Sequence, residues 1–146
     1  MSVVNIKIVN KSNNPLPQYQ SVAAAGLDLA AFVESPVVLQ PGQRQLITTG
    51  LYLELPIGFE AQIRPRSGLA MKSGVTVLNS PGTIDPDYRG EIKVLLINLS
   101  DHPFTIESGD RIAQMIIAKY EQVEFMEVEE LSRTERATAG FGSTGV

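Results

Sequence analysis

The sequence of 146 residues contains no cysteine and only one histidine, His102. Without cysteine the chain cannot form disulfide bonds, thiolate metal sites or a cysteine nucleophile. A single histidine cannot make a zinc cluster on its own. These absences exclude whole classes of functional site before any motif is considered.

The chain also has fewer positively charged than negatively charged residues. Twelve Lys and Arg residues stand against sixteen Asp and Glu residues, which gives a formal net charge of −4. This is the wrong sign for a protein that gains affinity by neutralising a phosphate backbone, so no nucleic-acid partner is expected. A single nucleotide remains possible, because a few placed arginines and backbone N–H groups can bind it whatever the net charge.

No apolar run is long enough to form a signal peptide or a membrane span. The N-terminal segment MSVVNIKIVN alternates apolar with polar residues instead. We therefore expect a soluble, cytoplasmic protein that does not bind a membrane. The length suits one domain that buries about two thirds of its unfolded surface.

Helical periodicity is nearly absent as well. Short runs of Val, Ile, Leu and Tyr recur between Pro, Gly, Asn and Asp, which predicts an all-β chain. Nine prolines and twelve glycines at the corners favour a jelly-roll-like, distorted β-barrel. The one predicted helix follows Ser67, whose hydroxyl is expected to cap it. The predicted strands are 3–9, 27–32, 37–39, 43–49, 51–55, 60–65, 75–77, 91–98, 104–106 and 111–120.

The last residues differ in character from the rest of the chain. From Leu131 the segment LSRTERATAGFGSTGV is polar and rich in glycine, with one aromatic residue, Phe141. Composition alone fits a frayed terminus. A lone aromatic ring on a solvated segment costs free energy unless it packs on another surface, and a nucleobase offers such a surface. We therefore divide the chain into a domain at 1–130 and a flexible C-terminal arm at 131–146.

Three short segments carry candidate binding residues. Asp28 projects from a predicted strand on the side opposite its leucine neighbours, either into solvent or into a cleft. Ser67 and Gly68 open the predicted helix, where backbone N–H groups can bind an anion, although this pattern is also common as a simple cap. Gln114 alternates with apolar residues, where an unpaired amide would cost about 1–3 kcal/mol. It therefore needs a partner, either protein or ligand.

The densest group of ionisable residues lies in the segment GTIDPDYRGE. Its members within seven residues are Asp85, Asp87, Tyr88, Arg89 and Glu91. The turn residues around the two prolines fit a hairpin corner equally well. A calcium loop would need a twelve-residue ligand spacing with a central glycine, which is absent. One carboxylate could serve as a general base and another as the partner of Arg89.

Five segments, in this order, resemble the trimeric dUTP pyrophosphatase (dUTPase) family: AGLDLAA, PRSGLA, GTIDPDYRGE, GDRIAQMI and GFGSTG. The resemblance implies a jelly-roll-like barrel in a homotrimer with shared active sites and a C-terminal arm exchanged between subunits. It also implies Mg²⁺-dependent hydrolysis of dUTP to dUMP and pyrophosphate by water attack on the α-phosphorus. Such an enzyme lowers dUTP and supplies dUMP for thymidylate synthesis.

The resemblance assigns roles to individual residues. Asp85 matches the base that activates the attacking water. Tyr88 matches the tyrosine under the deoxyribose, which leaves no room for a ribose 2′-hydroxyl. Asp28 matches the acidic residue that reaches Mg²⁺ through water, while the ion is held mainly by substrate phosphates. The uracil-reading residues are Asn79, Gly82, Thr83 and Ile84. The other implied substrate contacts are Arg66, Ser67, Gly68, Lys93, Gln114, Arg136, Phe141, Gly142, Ser143 and Thr144, with Phe141 stacking on uracil.

The chain departs from the family in its arm. Ala137 and Ala139 stand where the family usually has glycine, and alanine disfavours the positive φ angles that glycine permits. Two other functions fit the same scaffold. A dCTP deaminase would need a different catalytic set, and the GFGSTG tail argues against it. A non-catalytic nucleotide-binding protein would not be expected to retain both Asp85 and Tyr88.

Overall fold

The computed structural model describes residues 3–145, in which eleven strands and one short helix form. Met1, Ser2 and Val146, at the ends of the predicted domain and arm, lie outside these residues. The elements are β1 (Lys7–Asn10), β2 (Leu27–Ala30), β3 (Val37–Leu39), β4 (Arg44–Thr48), β5 (Leu51–Glu54), β6 (Phe59–Arg64), α1 (Ser67–Ser73), β7 (Val75–Val77), β8 (Gly82–Ile84), β9 (Lys93–Asn98), β10 (Phe104–Ile106) and β11 (Arg111–Lys119). The all-β prediction with one short helix is confirmed.

The described strands form four antiparallel sheets. The largest has the order β2-β11-β6-β8, and a second has the order β4-β9-β7. The pairs β1-β5 and β10-β3 complete the fold. Hydrogen bonding within residues 3–145 thus joins the strands in separate sheets and does not close one barrel. The predicted barrel is in this respect more open than expected.

Aliphatic side chains from several sheets meet in one core. Leu29, Val94, Leu96 and Ile112 are at most 1% exposed. Each buried side chain of this size stabilises the fold by about 1.5–3 kcal/mol. These residues alternate with more exposed neighbours on β2 and β9, as expected for strands with one face on the core. This core fixes the strands from which the candidate site residues project.

Strand β8 was missed by the sequence prediction. Its residues lie between Pro81 and Asp85-Pro86, whose turn chemistry suggested a corner. They nevertheless pair with β6, with Ile63 opposite Gly82 and Ala61 opposite Ile84. Gly82 is buried against the Ile63 side chain. Tertiary pairing therefore overrides the local turn signals here.

The helix is present, but its predicted cap is wrong. Ser67 is the first helical residue, and the N-cap is Arg66, which has an extended backbone (φ −91°, ψ 128°) and no side-chain capping bond. The Ala70 N–H donates to the Arg66 carbonyl at 3.0 Å, so the first turn closes one residue earlier than expected. Gly74 ends the helix with φ +61°. No described helix is long and apolar enough to cross a membrane.

Candidate active site

Asp28 lies in a cluster of charged groups at one end of the largest sheet. Its carboxylate Oδ1 is 3.2 Å from Nε of Arg66, and its Oδ2 is 3.3 Å from a terminal nitrogen of Arg111. Arg66 also donates to the Arg111 carbonyl at 3.0 Å. The Asp28 side chain is only 19% exposed, so it is a cleft residue and not a solvent-facing strand residue. These contacts tie the segment after β6 to β2 and β11.

Gln114 has the partner that its position requires. Its Nε2 donates to the Pro65 carbonyl at 2.9 Å, and in the sheet it lies opposite Asp28. A Cβ on Gly26 would collide with the Gln114 side-chain oxygen, so glycine at 26 leaves room for this amide. The predicted alternation along β11 is broken, because the register shifts after Arg111. A backbone carbonyl therefore pairs with one of the two N–H groups of the amide, and Gln114 holds the segment before α1.

The start of α1 is exposed beside this cluster. Ser67 and Gly68 both face solvent, and a Cβ on Gly68 would meet no atom within 4 Å. The first N–H groups of a helix have no partner within the helix. Arg66 adds positive charge from a side chain that is 31% exposed. Together these groups offer donors and positive charge to an anion.

The hairpin 78–91 is held by its own backbone. The Tyr88 N–H donates to the Asp85 carbonyl at 3.2 Å. Arg89 donates from one terminal nitrogen to the Pro86 carbonyl at 2.6 Å and to the Tyr88 carbonyl at 3.1 Å. The suggested pairing of Arg89 with a carboxylate is therefore wrong among the described residues, because the tight turn presents carbonyl oxygens within reach of its guanidinium. Asp85 remains exposed beside Pro86.

Tyr88 and Glu91 fix the base of the same hairpin. The Tyr88 hydroxyl donates to the Glu91 carbonyl at 3.0 Å, while the residue is 45% exposed. The Glu91 side chain accepts the Gly50 N–H at 2.9 Å, and Gly50 has φ +70°. The hairpin is therefore anchored to the turn between β4 and β5. Sequence reasoning did not assign this anchoring role to Glu91, because no local pattern marks it.

The arm stands apart from both groups. Every described residue from 121 to 145 is exposed, so exposure begins before the predicted boundary at 131. Phe141 is fully exposed, and both Ala137 (φ +47°) and Phe141 (φ +48°) have positive φ. Ala139 is not among the positive-φ residues described. The unfavourable effect of alanine at a positive φ angle therefore applies to Ala137 and not to Ala139.

Apart from Lys93, the predicted site residues fall into three groups: the Asp28 cluster, the hairpin and the arm. No hydrogen bond or ion pair between residues 3–145 links one group to another. Lys93 is exposed at the start of β9, and Asn79 is exposed in the turn before β8. Arg111 belongs to the Asp28 cluster but was not predicted, because its contact depends on strand pairing. The described residues contain no group of three or more acidic or histidine side chains that could hold a metal ion.

A family model described as dUTPase matches residues 12–145. The chain belongs to the dUTPase family. The family predicted from the five segments is therefore confirmed, and with it the prediction that the chain is an enzyme.

This dUTPase is similar to curated relatives along most of their length. It is 69% identical over 141 residues to a deoxyuridine 5′-triphosphate nucleotidohydrolase from Cytophaga hutchinsonii, covering 97% of this chain and 92% of the relative. It is 55% identical over 142 residues to the protein of that name from Finegoldia magna, covering 97% and 99%.

Two solved structures share the fold. The dUTPase of Staphylococcus bacteriophage 80alpha with dUpNHpp has a TM-score of 0.87 and 26% identity, covering 97% of this chain and 99% of the other. A variant dUTPase from phage phi11 of S. aureus, which coordinates a structural Mg(II) ion, has a TM-score of 0.79 and 21% identity, covering 88% and 99%. The second comparison supports the fold alone.

Proposed function

We propose that this protein hydrolyses dUTP to dUMP and pyrophosphate, with Asp85 as the general base. The observation that carries the proposal is the state of the Asp85 carboxylate in a chain of this family. It is exposed, and within residues 3–145 no hydrogen bond or ion pair engages its side chain. The Tyr88 N–H of the hairpin donates to the backbone carbonyl of Asp85 and not to its side chain. The carboxylate is therefore free to bind and activate water.

In the proposed reaction the Asp85 carboxylate takes a proton from water as the water oxygen bonds to the α-phosphorus. The bond from that phosphorus to the bridging oxygen of the β-phosphate breaks, and pyrophosphate leaves. A positioned general base contributes about 10²–10⁴-fold to the rate. Most of the remaining acceleration must come from groups that stabilise negative charge on the phosphates.

The Asp28 cluster and the start of α1 are the proposed phosphate site. Arg66 supplies positive charge, Ser67 and Gly68 supply N–H donors, and Gln114 adds an amide. Lys93 is proposed as a further substrate contact. Arg66 and the helix start already lie side by side, and the space in front of Gly68 is open. These features support binding of an anionic chain of phosphates.

The proposed cofactor is Mg²⁺, which would neutralise charge on the triphosphate oxygens when bound. Mg²⁺ usually takes one or two protein carboxylates, keeps several waters and binds substrate phosphates. Asp28 fits this requirement as a single, mostly buried carboxylate that faces the phosphate site. The described residues offer no cage of three acidic side chains. The ion would therefore be held mainly by the substrate, with Asp28 reaching it through water.

The hairpin is the proposed nucleoside site. Strand β8 is the edge strand of its sheet, so one row of its backbone N–H and C=O groups has no strand partner among residues 3–145. Such a row can bind the donor and acceptor edge of a base, which supports uracil recognition by Gly82, Thr83 and Ile84 with Asn79. Tyr88 is proposed to lie under the deoxyribose and to exclude a 2′-hydroxyl.

The proposed active unit is a homotrimer with shared active sites. No hydrogen bond or ion pair among residues 3–145 joins the three groups of site residues, which supports a site completed by other copies. The arm at 131–146 is proposed to close over a neighbouring site and to supply Arg136, Phe141, Gly142, Ser143 and Thr144. Exposed apolar side chains before it support association, since Phe125 is 92% exposed and Met126 is 85% exposed.

A further surface supports the same proposal. A cavity of about 700 Å³ contains none of the predicted site residues and is lined largely by apolar side chains, among them Ile6, Leu27, Phe59 and Ile117. An open apolar surface of this kind is stabilised when another chain covers it.

We also propose a cytoplasmic location and the use of the product dUMP for thymidylate synthesis. Both follow from the family resemblance.

A substrate panel tests the proposed activity. Pyrophosphate release is measured with dUTP, UTP, dTTP and dCTP at saturating Mg²⁺, and ammonia release from dCTP is measured in parallel. We expect rapid pyrophosphate release from dUTP alone and no ammonia from dCTP. Ammonia without pyrophosphate would favour the deaminase. Binding of dUTP without any product would favour the non-catalytic alternative.

A further inference from the structure

The Tyr88 ring lies directly against the backbone of Gly90. A Cβ on Gly90 would be 2.5 Å from Cζ and 2.9 Å from Cε2 of the ring, and closer still to the hydroxyl oxygen. Carbon atoms in favourable contact are about 3.5–4.0 Å apart. No side chain larger than hydrogen therefore fits at position 90 while the ring keeps its place.

The requirement for glycine here comes from the ring and not from the backbone. Gly90 is not among the glycines with positive φ, so alanine would not strain its main chain. The atoms in the way belong to the far end of a side chain that is 45% exposed. The ring can therefore swing away, but it would then lose the hydrogen bond from its hydroxyl to the Glu91 carbonyl.

We propose that Gly90 is a specificity-determining residue that holds the Tyr88 ring as a fixed wall against the sugar. The inference rests on the proposed function, in which Tyr88 excludes the ribose 2′-hydroxyl. The missing Cβ lets the ring lie back on the hairpin, and the Glu91 carbonyl fixes its hydroxyl end. Glu91 is fixed in turn by the Gly50 N–H. A ring with both constraints cannot give way to an additional hydroxyl group.

The test compares kcat/KM for dUTP with kcat/KM for UTP in the full chain. In Gly90→Ala the ring loses its fixed position, and we expect the ratio to fall by about tenfold, the low end of discrimination by pocket shape. Asp87→Asn is the matched control, because it changes the same hairpin without filling the space at Gly90. We expect its ratio to stay at the parental value. A purely structural defect in Gly90→Ala would lower both rates and leave the ratio unchanged.

Two variants of Tyr88 separate this inference from the proposed function. Tyr88→Ala removes the wall and should lower the ratio whatever the role of Gly90; an unchanged ratio would refute Tyr88 as the sugar filter. Adding Gly90→Ala to Tyr88→Ala should have no further effect, because no ring remains to be displaced. If Tyr88→Ala lowers the ratio and folded Gly90→Ala does not, the inference about Gly90 alone is overturned.

A third variant of Tyr88 keeps the inference testable if Gly90→Ala does not fold. Tyr88→Phe preserves the ring and the close contact but removes the hydroxyl that donates to Glu91. Because one of the two constraints is lost, we expect a smaller fall in the dUTP/UTP ratio. A parental ratio in this variant would show that the ring needs no such anchor, and would overturn the inference.

Discussion

Replacing Asp28 with asparagine removes the negative charge that two arginines share. The Asp28 carboxylate is 3.2 Å from Arg66 and 3.3 Å from Arg111, measured from oxygen to guanidinium nitrogen. Asparagine has nearly the same shape and retains one acceptor oxygen. The substitution therefore leaves the packing unchanged. The positive charges of Arg66 and Arg111 are then no longer neutralised by a carboxylate between them.

The decrease in the free energy of unfolding depends on how exposed each arginine partner of Asp28 is. The pair with Arg66 is an ion pair and is the more buried, with side chains 19% and 31% exposed, and losing a charged partner at this depth costs about 1.5–3 kcal/mol. The Arg111 side chain is 54% exposed, so its pair contributes about 0.5 kcal/mol after screening by solvent. The acceptor that asparagine keeps reduces the total to about 2 kcal/mol. At about 2–4 °C per kcal/mol, the midpoint of thermal unfolding should fall by about 4–8 °C.

Thermal unfolding without nucleotide tests this estimate. It is followed by circular dichroism at low salt and at one protein concentration, because association makes Tm depend on concentration. Asp87→Asn is the control, an exposed carboxylate with no ion pair among residues 3–145. A change below 1 °C in Asp28→Asn would refute the electrostatic reasoning.

The same substitution should also raise the Mg²⁺ concentration needed for tight binding of a non-hydrolysable dUTP analogue. An unchanged Mg²⁺ requirement would limit Asp28 to a structural role.

Three further predictions concern the base and the arm. Asp85→Asn should bind a non-hydrolysable dUTP analogue normally in calorimetry but lose about 10²–10⁴-fold in kcat, and near-normal turnover would remove Asp85 as the base. Truncation after Arg133 should leave a folded trimer in sedimentation with little activity, whereas an unfolded product would make the arm structural. Ala137→Gly should lower KM for dUTP by up to about fivefold if φ stays positive on closure, because alanine there costs about 1 kcal/mol. Ala139→Gly, without positive φ, should give no such gain.

Most strands could be predicted because each buries one face, which leaves an alternating pattern in the sequence. β3, β7 and β10 have the predicted bounds, and the other predicted strands overlap observed ones. β8 could not be found in this way, because Gly-Thr-Ile carries a single apolar side chain and lies between turn-forming prolines. Its pairing with β6 is a long-range contact that only the folded chain supplies. The N-cap of α1 was misplaced because a serine hydroxyl favours capping, but the Arg66 carbonyl accepts the Ala70 N–H, so the helix begins one residue earlier.

Residue types in the candidate site could be predicted, but their partners could not. Asp28 and Arg111 are 83 positions apart and meet only because β2 pairs with β11. A register shift after Arg111 also breaks the alternation from which its direction would be inferred. For Arg89, the sequence offered two nearby carboxylates, yet the guanidinium bonds to carbonyl oxygens of its own turn. Such contacts depend on backbone geometry, which the order of residue types does not specify.

The proposed closure of the arm requires the triphosphate as well as the base. Ordering the sixteen residues of the arm, 131–146, costs about 16 kcal/mol of backbone entropy at about 1 kcal/mol per residue. Stacking of Phe141 on uracil would return only about 1–3 kcal/mol. The balance must come from packing on a neighbouring chain and from contacts of Arg136, Ser143 and Thr144 with the terminal phosphates. Since dUMP lacks those phosphates, hydrolysis would remove the contacts that hold the arm closed, and the product would be released from an open site.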